Sequence, residues 1–595
     1  MKKYLLIALA AFGFAACAEN QDDINNPAIG GEVEESYIAI NLMSADSDTR
    51  AITNDPEGDA ELYGYEYGTS IERKVERAHF FFFLNGEPFN VNATPATEPG
   101  VVTAPNHMEL VISTTGEDDD PAGNISDISN AVLVLSTYKG QYPNQIVAVL
   151  NWAPEARVYT LDELREEISA ASLGNDENGY VMSNSVYMDS EVSKQVIDVT
   201  PITSEHIKDS ADKAIDAPVD IYVERTAAKV VVTASAANDN IFQVTDDDGF
   251  IPVGATRRTV YVELLGWELY NEFTETNLIK QIDTDLTPSA LGLTWNDAPY
   301  FRSYWATTMN ERTTNDTFLW EYEADASPAT TFGGGFPTAY GYEVASAADY
   351  TNRNSYTYCG ENTLAWTKTN DVRTKVILKG RLVESDGAGG YNKLELARWY
   401  GNEYAGTDDL KTAVANSIKY TLYDYDEVNR KYISISPEDL EIVHGSDVNA
   451  EAYEVGFQLS TPGEGKNWYT YSAANGYQPV GDASIPGDIA AKTNAILATT
   501  VQPAILYKGG NTYYIVDIEH LGKDGSTSQF GIVRNHVYQI DVQSISGYGS
   551  PGYSGDSYLE NPEYPEVDDD DSSFVAARIN VLSWKVVKQS VNIGQ

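Results

Sequence analysis

The sequence predicts a mainly β protein built of sandwiches with long loops, and three observations lead there. The 595 residues include 40 Tyr and 45 Gly beside only 6 Met, a mix that suits tyrosine-rich strands and glycine turns better than helical bundles. Apolar segments of strand length recur between Gly/Pro/Asp clusters at irregular spacing, and helical patterns are few. No period of 20–50 residues repeats, which argues against a solenoid or propeller. Hydrophobic residues make up 42% and charged residues 22%, ordinary globular material with chain enough for roughly four domains, or fewer if these are large β-domains. With 39 Lys+Arg against 89 Asp+Glu, the net charge is −50. That charge argues against nucleic-acid binding, since phosphate contacts need a basic face.

Taken in order, residues 1–17 read MKKYLLIALAAFGFAAC. Lys2 and Lys3 form a basic n-region, Leu5 to Phe14 an apolar core, and Ala15-Ala16 a small-residue cleavage context. The apolar run is too short to span a bilayer. A cysteine directly after two alanines resembles the bacterial lipobox, with Phe14 where Leu is commoner. Cys17 is therefore expected to carry the lipid and to open the mature chain. The polar, acidic stretch 18–36 reads as a tether. In SYIAINL, Ile38, Ile40 and Leu42 share one face while Tyr37, Ala39 and Asn41 share the other, the pattern of a half-buried strand. A polar stretch with a single basic residue, Arg50, follows. Strands are then expected at HFFFFL, NAVLVLSTY and NQIVAVLNW, separated by acidic loops. The helix expected here is TLDELREEISAA, with Thr160 as cap and Glu163 at the capping-box position.

From Ile221 strands continue through IYVERTAAKVVVTA, RTVYVELLGWEL, TKVILKGRLV, KYTLYDY, TYYIVDI and VRNHVYQIDVQSI. Residues 546–573 are rich in Gly, Pro and acid and read as a linker; 28 residues reach at most roughly 90 Å. The chain then ends in a strand-like piece. Leu582, Trp584 and Val586 share one face at period two, and Val591 and Ile593 continue on the opposite parity. A phase shift after Lys588 predicts two short strands in tandem.

The residues offer little chemistry. Gly547, Gly549 and Gly552 spell GxGxxG, but Pro551 and an acidic tract follow where a phosphate site needs a helix N-terminus. Acid clusters at 118–120, 246–248 and 568–571 lack the calcium-loop spacing. The six histidines are isolated in sequence, and Cys359 reads as a small buried residue. No catalytic residue, cofactor or metal site is expected, and the chain is not read as an enzyme.

The informative segments are the early strand before Arg50 and the strands beyond the linker. An apolar strand with free edges must pair, within its own domain or with a neighbouring molecule. Here the sequence resembles the fimbrillins of Bacteroidales, the type V pilins, and in particular the short-fimbria major subunit family. The marks are the lipobox at Cys17, VERTAAKV at 223–230, GWEL around Trp267, FRSYWA at 301–306, YCGENT at 358–363, GIVRNHVYQIDVQSISGYG at 531–549 and the ending NVLSWKVVKQSVNI.

The resemblance implies two transthyretin-like β-sandwich domains in series, with an N-terminal lipoprotein leader and C-terminal donor strands. It divides the chain into a leader (1–17), a tether and propeptide strand removed on maturation (18–50), an N-terminal sandwich (51–216), a C-terminal sandwich (217–545), the linker (546–573) and donor strands (574–595). It implies that Ile38, Ile40 and Leu42 plug a groove until an arginine-specific surface protease cuts between Arg50 and Ala51. Leu582, Trp584, Val586, Val591 and Ile593 of another subunit would then fill the groove by strand addition. The partners implied are further copies of the chain, anchor and tip subunits, and the outer membrane through the lipid. The precursor would be a surface lipoprotein of the outer membrane, and the mature form part of an extracellular fimbria. The alternative is a surface lipoprotein that does not polymerise, either a fimbrial anchor or a glycan-binding β-sandwich. The longer, more acidic linker departs from the family pattern.

Overall fold

The computed structural model describes residues 33–44, 63–65, 72–93, 105–111, 131–170, 179–188, 196–234, 240–281, 355–363, 373–444, 454–520, 530–551, 575–582 and 585–591, with short gaps inside some of these ranges. These residues are mainly β, as expected, and their three largest hydrophobic cores mark three units.

The first unit is one large sheet. Its longer strands are β1 (Val33–Ser44), β2 (Arg77–Leu84), β3 (His107–Val111), β4 (Ala131–Tyr138), β5 (Gln145–Leu150), β6 (Met182–Asn184) and β7 (Val219–Arg225), and two-residue strands at Glu87–Pro88 and Thr200–Pro201 pair with β2 and β5. They lie in the order β2-β5-β6-β7-β1-β4, with β3 paired to β2. The run HFFFFL does not alternate because both of its faces are covered. Phe80 and Phe82 enter one core with Leu133, Leu135 and Ile221, while Phe81 and Phe83 enter another with Tyr159 and Leu164. Leu164 belongs to α1 (Leu161–Glu166), whose capping box is formed as read: Glu163 N–H donates to Thr160 Oγ1 at 3.1 Å and Thr160 N–H to Glu163 Oε2 at 2.8 Å. The helix is shorter than expected. Residues Ile168–Ala170 leave it and pair with the strand Glu275–Asn277.

The crossing into the second unit differs from the expected boundary at 217. β7 still belongs to the first sheet, and β8 (Ala228–Ala234) opens the second. The apolar pattern runs through VERTAAKV without a break, so nothing local marks the change of sheet. The second unit adds β9 (Tyr261–Tyr270), β10 (Tyr356–Cys359) and β11 (Lys375–Ser385).

At this point the chain makes an excursion that the two-sandwich reading does not contain. Residues 394–507 carry β12 (Leu396–Trp399), α2 (Thr407–Ser417), β13 (Leu422–Asp426), β14 (Lys431–Ser434), β15 (Leu440–His444), β16 (Glu454–Leu459), β17 (Trp468–Ser472), β18 (Gly476–Pro479), α3 (Asp488–Thr500) and β19 (Ala504–Tyr507). Two sheets result, one including β12-β19-β16-β15 and the other β14-β13-β17-β18. They and both helices enclose a core of their own, with Trp399, Leu410, Val414, Leu422, Phe457 and Trp468.

The chain returns with β20 (Asn511–Asp517), which pairs directly with β11, Lys375 opposite Asp517, as though the excursion were a long loop. β21 (His536–Ile545) lies parallel to β8. The short strand β22 (Ser550–Pro551) pairs with β20. β23 (Val575–Leu582) and β24 (Lys585–Val591) complete the sheet, whose order is Tyr63–Tyr65, β24, β23, β21, β8, β10. The second core lies between this sheet and the one holding β9, β11 and β20, with Val230, Val232, Trp267, Leu378, Tyr538 and Ile540 in it.

The expected linker therefore starts later than Ser546. Tyr548 is buried, Tyr507 Oη donates to Gly549 O at 2.8 Å and Tyr514 Oη to Gly547 O at 3.2 Å. Gly547 and Gly549 have φ of 74° and 70°, and a Cβ on Gly549 would meet Tyr513 O at 2.6 Å. The glycines of GxGxxG that are described serve this close turn; Gly552 lies outside the described residues.

Buried ions tie the first two units together. Lys229 Nζ lies 2.9 Å from Glu72 Oε1, Arg225 Nε donates to Glu72 O at 2.8 Å, and Tyr358 Oη also donates to the Glu72 carboxylate. Burial pushes the Glu72 carboxyl up, but Lys229, Arg225 and these hydrogen bonds outweigh it and hold it below the usual carboxylate range. Arg534, from the second unit, donates to Glu361 at 2.7 Å and to Asn277 O at 2.7 Å. Breaking such a pair strands a buried charge, so the cluster restricts how the units can sit.

Candidate strand-docking site

The region of interest begins with β1, because it is an inner strand contributed by the extreme start of the described chain. Its first part, Val33–Ile40, runs antiparallel to β4, from Val33 opposite Tyr138 to Ile40 opposite Ala131. Its second part, Ile40–Ser44, runs parallel to β7, from Ile40 opposite Val219 to Ser44 opposite Val223. The strand thus staples β4 to β7 in a staggered fashion, with Ile40 shared by both ladders.

Ile38 is 0% exposed, among Val75, Phe80, Leu135 and Val219. The opposite face is covered as well, which alternation alone did not reveal. Ala39 is 2% exposed against Val132 and Ala214, the latter on the short helix Ala211–Ile215. A small residue at 39 is what lets this helix sit over the strand. Ile40 and Leu42 stand at register positions opposite Ala131 and Val219, and Ile221, respectively.

Cys17, Arg50 and Ala51 lie outside the described residues, as do Trp584 and Ile593. Leu582 ends β23, and Val586 and Val591 lie in β24. These strands sit in a different sheet from β1, so the two sets of expected site residues are not brought together within one chain. β23 pairs antiparallel with β21, Ile545 opposite Val575, and β24 returns antiparallel along β23. The break between strands falls between Leu582 and Lys585, not after Lys588. The i, i+2, i+4 spacing of Leu582, Trp584 and Val586 therefore spans two strands and is no single strand's face. Tyr63–Tyr65 pairs with β24, Tyr63 opposite Val587, which the sequence did not signal.

The remaining chemistry is sparse. Cys359 is buried in the second core. Two histidine pairs form that were isolated in sequence, His79 with His107 at a ring separation of 5.4 Å and His520 with His536 at 5.1 Å. Among the described residues no three His, Cys, Asp or Glu converge on a metal position, and no helix is long and apolar enough to cross a membrane.

The chain was compared in turn with protein families, with curated proteins and with solved structures. Residues 505–590, from β19 to β24, match the family described as major fimbrial subunit protein type IV, fimbrillin, C-terminal. The C-terminal part of the chain is thus similar to the fimbrillin C-terminal region, and the described residues are mainly β.

No curated protein matches. Solved structures that resemble it include a protein of Parabacteroides distasonis assigned provisionally to cell adhesion, with 13% identity, 92% of this chain and 96% of that one covered, and a TM-score of 0.35. A fimbrilin of Porphyromonas gingivalis has 10% identity, coverage of 94% and 98%, and a TM-score of 0.29. The tip fimbrial protein Mfa3 of the same organism, C-terminally truncated, has 12% identity, coverage of 88% and 98%, and a TM-score of 0.25. The family match concerns residues 505–590 alone.

Proposed function

We propose that this protein is the stalk subunit of a surface fimbria, exported as a lipoprotein on Cys17, activated by cleavage between Arg50 and Ala51, and polymerised by donor-strand exchange. The observation that carries the reading is the seat of β1. It is the first described strand, it lies inside its sheet and not at the edge, and the polar stretch holding Arg50 follows it. Losing the chain up to Arg50 would leave β4 and β7 without the strand between them and open the pocket that Ile38 fills. The C-terminal residues 574–595 of a second copy are the segment proposed to enter, with Leu582, Trp584, Val586, Val591 and Ile593 as its apolar content. A head-to-tail contact of this kind does not close on itself and therefore propagates as a filament. Anchor and tip subunits and an arginine-specific surface protease are the further partners of this scheme.

A second reading has one observation in its favour: β23 and β24 are seated on β21 of their own chain. If they never leave, the protein is a tethered monomer or a fimbrial anchor. Limited digestion with an arginine-specific protease separates the two. A single cut after Arg50, followed by detergent-resistant oligomers that collapse on boiling, is expected for the stalk subunit. Arg50→Ala should abolish both the cut and the ladder, and deletion from Arg578 onward should abolish the ladder alone. A ladder from the deletion variant would sink the donor assignment, and a cut with no ladder would favour the anchor.

A further inference from the structure

The third unit, residues 394–507, contributes no strand to either sheet discussed above, yet its outer surface is distinctive. In the sheet β14-β13-β17-β18, Leu422 and Trp468 point into the core. By strand alternation Tyr423 and Tyr425, Tyr432 and Ser434, Tyr469 and Tyr471, and Tyr477 and Pro479 occupy the other face. The registers agree, with Tyr423 opposite both Ser434 and Tyr469, Tyr425 opposite Tyr432, and Tyr471 opposite Tyr477.

An antiparallel sheet with one face on a core ordinarily turns polar and charged residues to water. Here six of eight outward positions are tyrosine and none is charged. The charges of these strands, Asp424, Asp426 and Lys431, all sit at the alternate positions.

The rings form one connected patch. Tyr432 and Tyr477 stack at 3.6 Å, and Tyr423, Tyr425, Tyr469 and Tyr471 surround them at 4.9–5.1 Å. Tyr471 is 50% exposed and the others are half-buried. Among the described residues none of the six hydroxyls has a hydrogen-bond partner. Cross-strand tyrosine pairing stabilises a sheet, but it does not require every outward pair of four strands to be free of charge.

We infer that this tyrosine face is a binding platform for a neutral polysaccharide. A pyranose chain offers apolar C–H faces to stack on rings and hydroxyls to exchange hydrogen bonds with phenols that both donate and accept. The platform is preformed by the sheet, with the other four rings standing edge-on or tilted around the stacked Tyr432–Tyr477 pair. Its neutrality on a chain of charge −50 sets the class of ligand. Acidic glycans and nucleic acids, which also stack on aromatics, would be repelled by the whole molecule and find no cationic groove on this sheet. A second copy of the chain would bring another fifty negative charges to the same place. The inference rests on the third unit and not on the strand-exchange reading, so it is tested on the uncleaved chain.

The experiment is native electrophoresis of the full-length, uncleaved protein through gels containing soluble β-glucan, xylan or mannan, with alginate as the anionic control. At least one neutral polymer should retard the protein and alginate should not. Tyr471→Ala, at the most exposed position, should weaken that binding about tenfold with unchanged circular dichroism. Tyrosine absorbance of the wild type should also shift on titration with the retarding polymer, a readout that needs no variant. Retardation by none of the polymers, equal retardation of Tyr471→Ala, or no absorbance shift would overturn the inference. So would a wild-type dimer, seen by sedimentation, that Tyr471→Ala converts to monomer, since the face would then be covered by a second copy.

Discussion

His79 shows how a residue that is unremarkable in sequence acquires a role from its neighbours. It is 4% exposed on β2, directly opposite Glu109, with its Nε2 3.8 Å from the Glu109 carboxylate, His107 beside it and Arg77 two residues back on the same face. Neither ring nitrogen has a hydrogen-bond partner. Burial, then His107, then Arg77 lower its pKa from 6.5 to about 4. Burial also lowers His107, against the Glu155 carbonyl and Glu109, which act to raise it. In the native state His79 therefore stays neutral down to about pH 4, while the unfolded chain takes up its proton near 6.5. Between those values the unfolded state binds more protons, so stability falls as pH drops from 6.5 towards 4. Allowing for partial screening, the loss should be about 2 kcal/mol. Urea midpoints across this range should decline for the wild type and less steeply for His79→Leu; parallel slopes would remove His79 from the account.

At the scale of elements, β1 is held by two staggered ladders and by contacts on both faces, with Ala39 packed against Ala214 of the short helix. Any larger residue there must displace the helix Ala211–Ile215. Ala39→Leu should destabilise the first unit by about 1–3 kcal/mol through overpacking, measured as a lower urea midpoint for the transition. An unchanged midpoint would mean that the helix yields freely and does not cover the strand firmly.

The same element shows what local pattern can and cannot carry. Alternation in SYIAINL was enough to place Ile38 on a buried face, since side-chain period follows from backbone geometry alone. It could not show that Ala39 is buried too, because the covering helix comes from residues about 170 positions away. The C-terminal pair is similar: apolar spacing announced strands, but the point where one ends and the next begins depends on how each pairs with β21. Thr160 and Glu163 were legible as a capping box because every atom involved lies within one turn. The length of that helix was not, since Ile168–Ala170 is claimed by a strand from Glu275 onward.

For the whole molecule, charge is the dominant global property. Assembly of chains as acidic as this one, −50 over the full sequence, works against mutual repulsion, which salt screens as the Debye length falls from about 10 Å at 0.1 M to about 3 Å at 1 M. If strand exchange joins the subunits, the yield of oligomers after cleavage should rise with salt over that range. A yield that falls would mean that attractive charge pairs, and not apolar strand addition, hold the subunits together. The third unit stands apart from this scheme, and its neutral tyrosine face is the part of the surface where the general repulsion of anions leaves a neutral polymer unaffected.

From the sequence alone came the mainly β class, most of the strands, the capping box, the absence of a recognisable catalytic motif and the resemblance to fimbrillins, because each depends on composition or on residues close together in the chain. Only the tertiary structure decided where the first sheet ends, that residues 394–507 form a core of their own between β11 and β20, and that His79 meets His107. It also decided that tyrosines from four separate strands share one uncharged face. Each of these depends on which strands pair across long separations, and pairing is settled by the fit of distant surfaces, which no local pattern encodes.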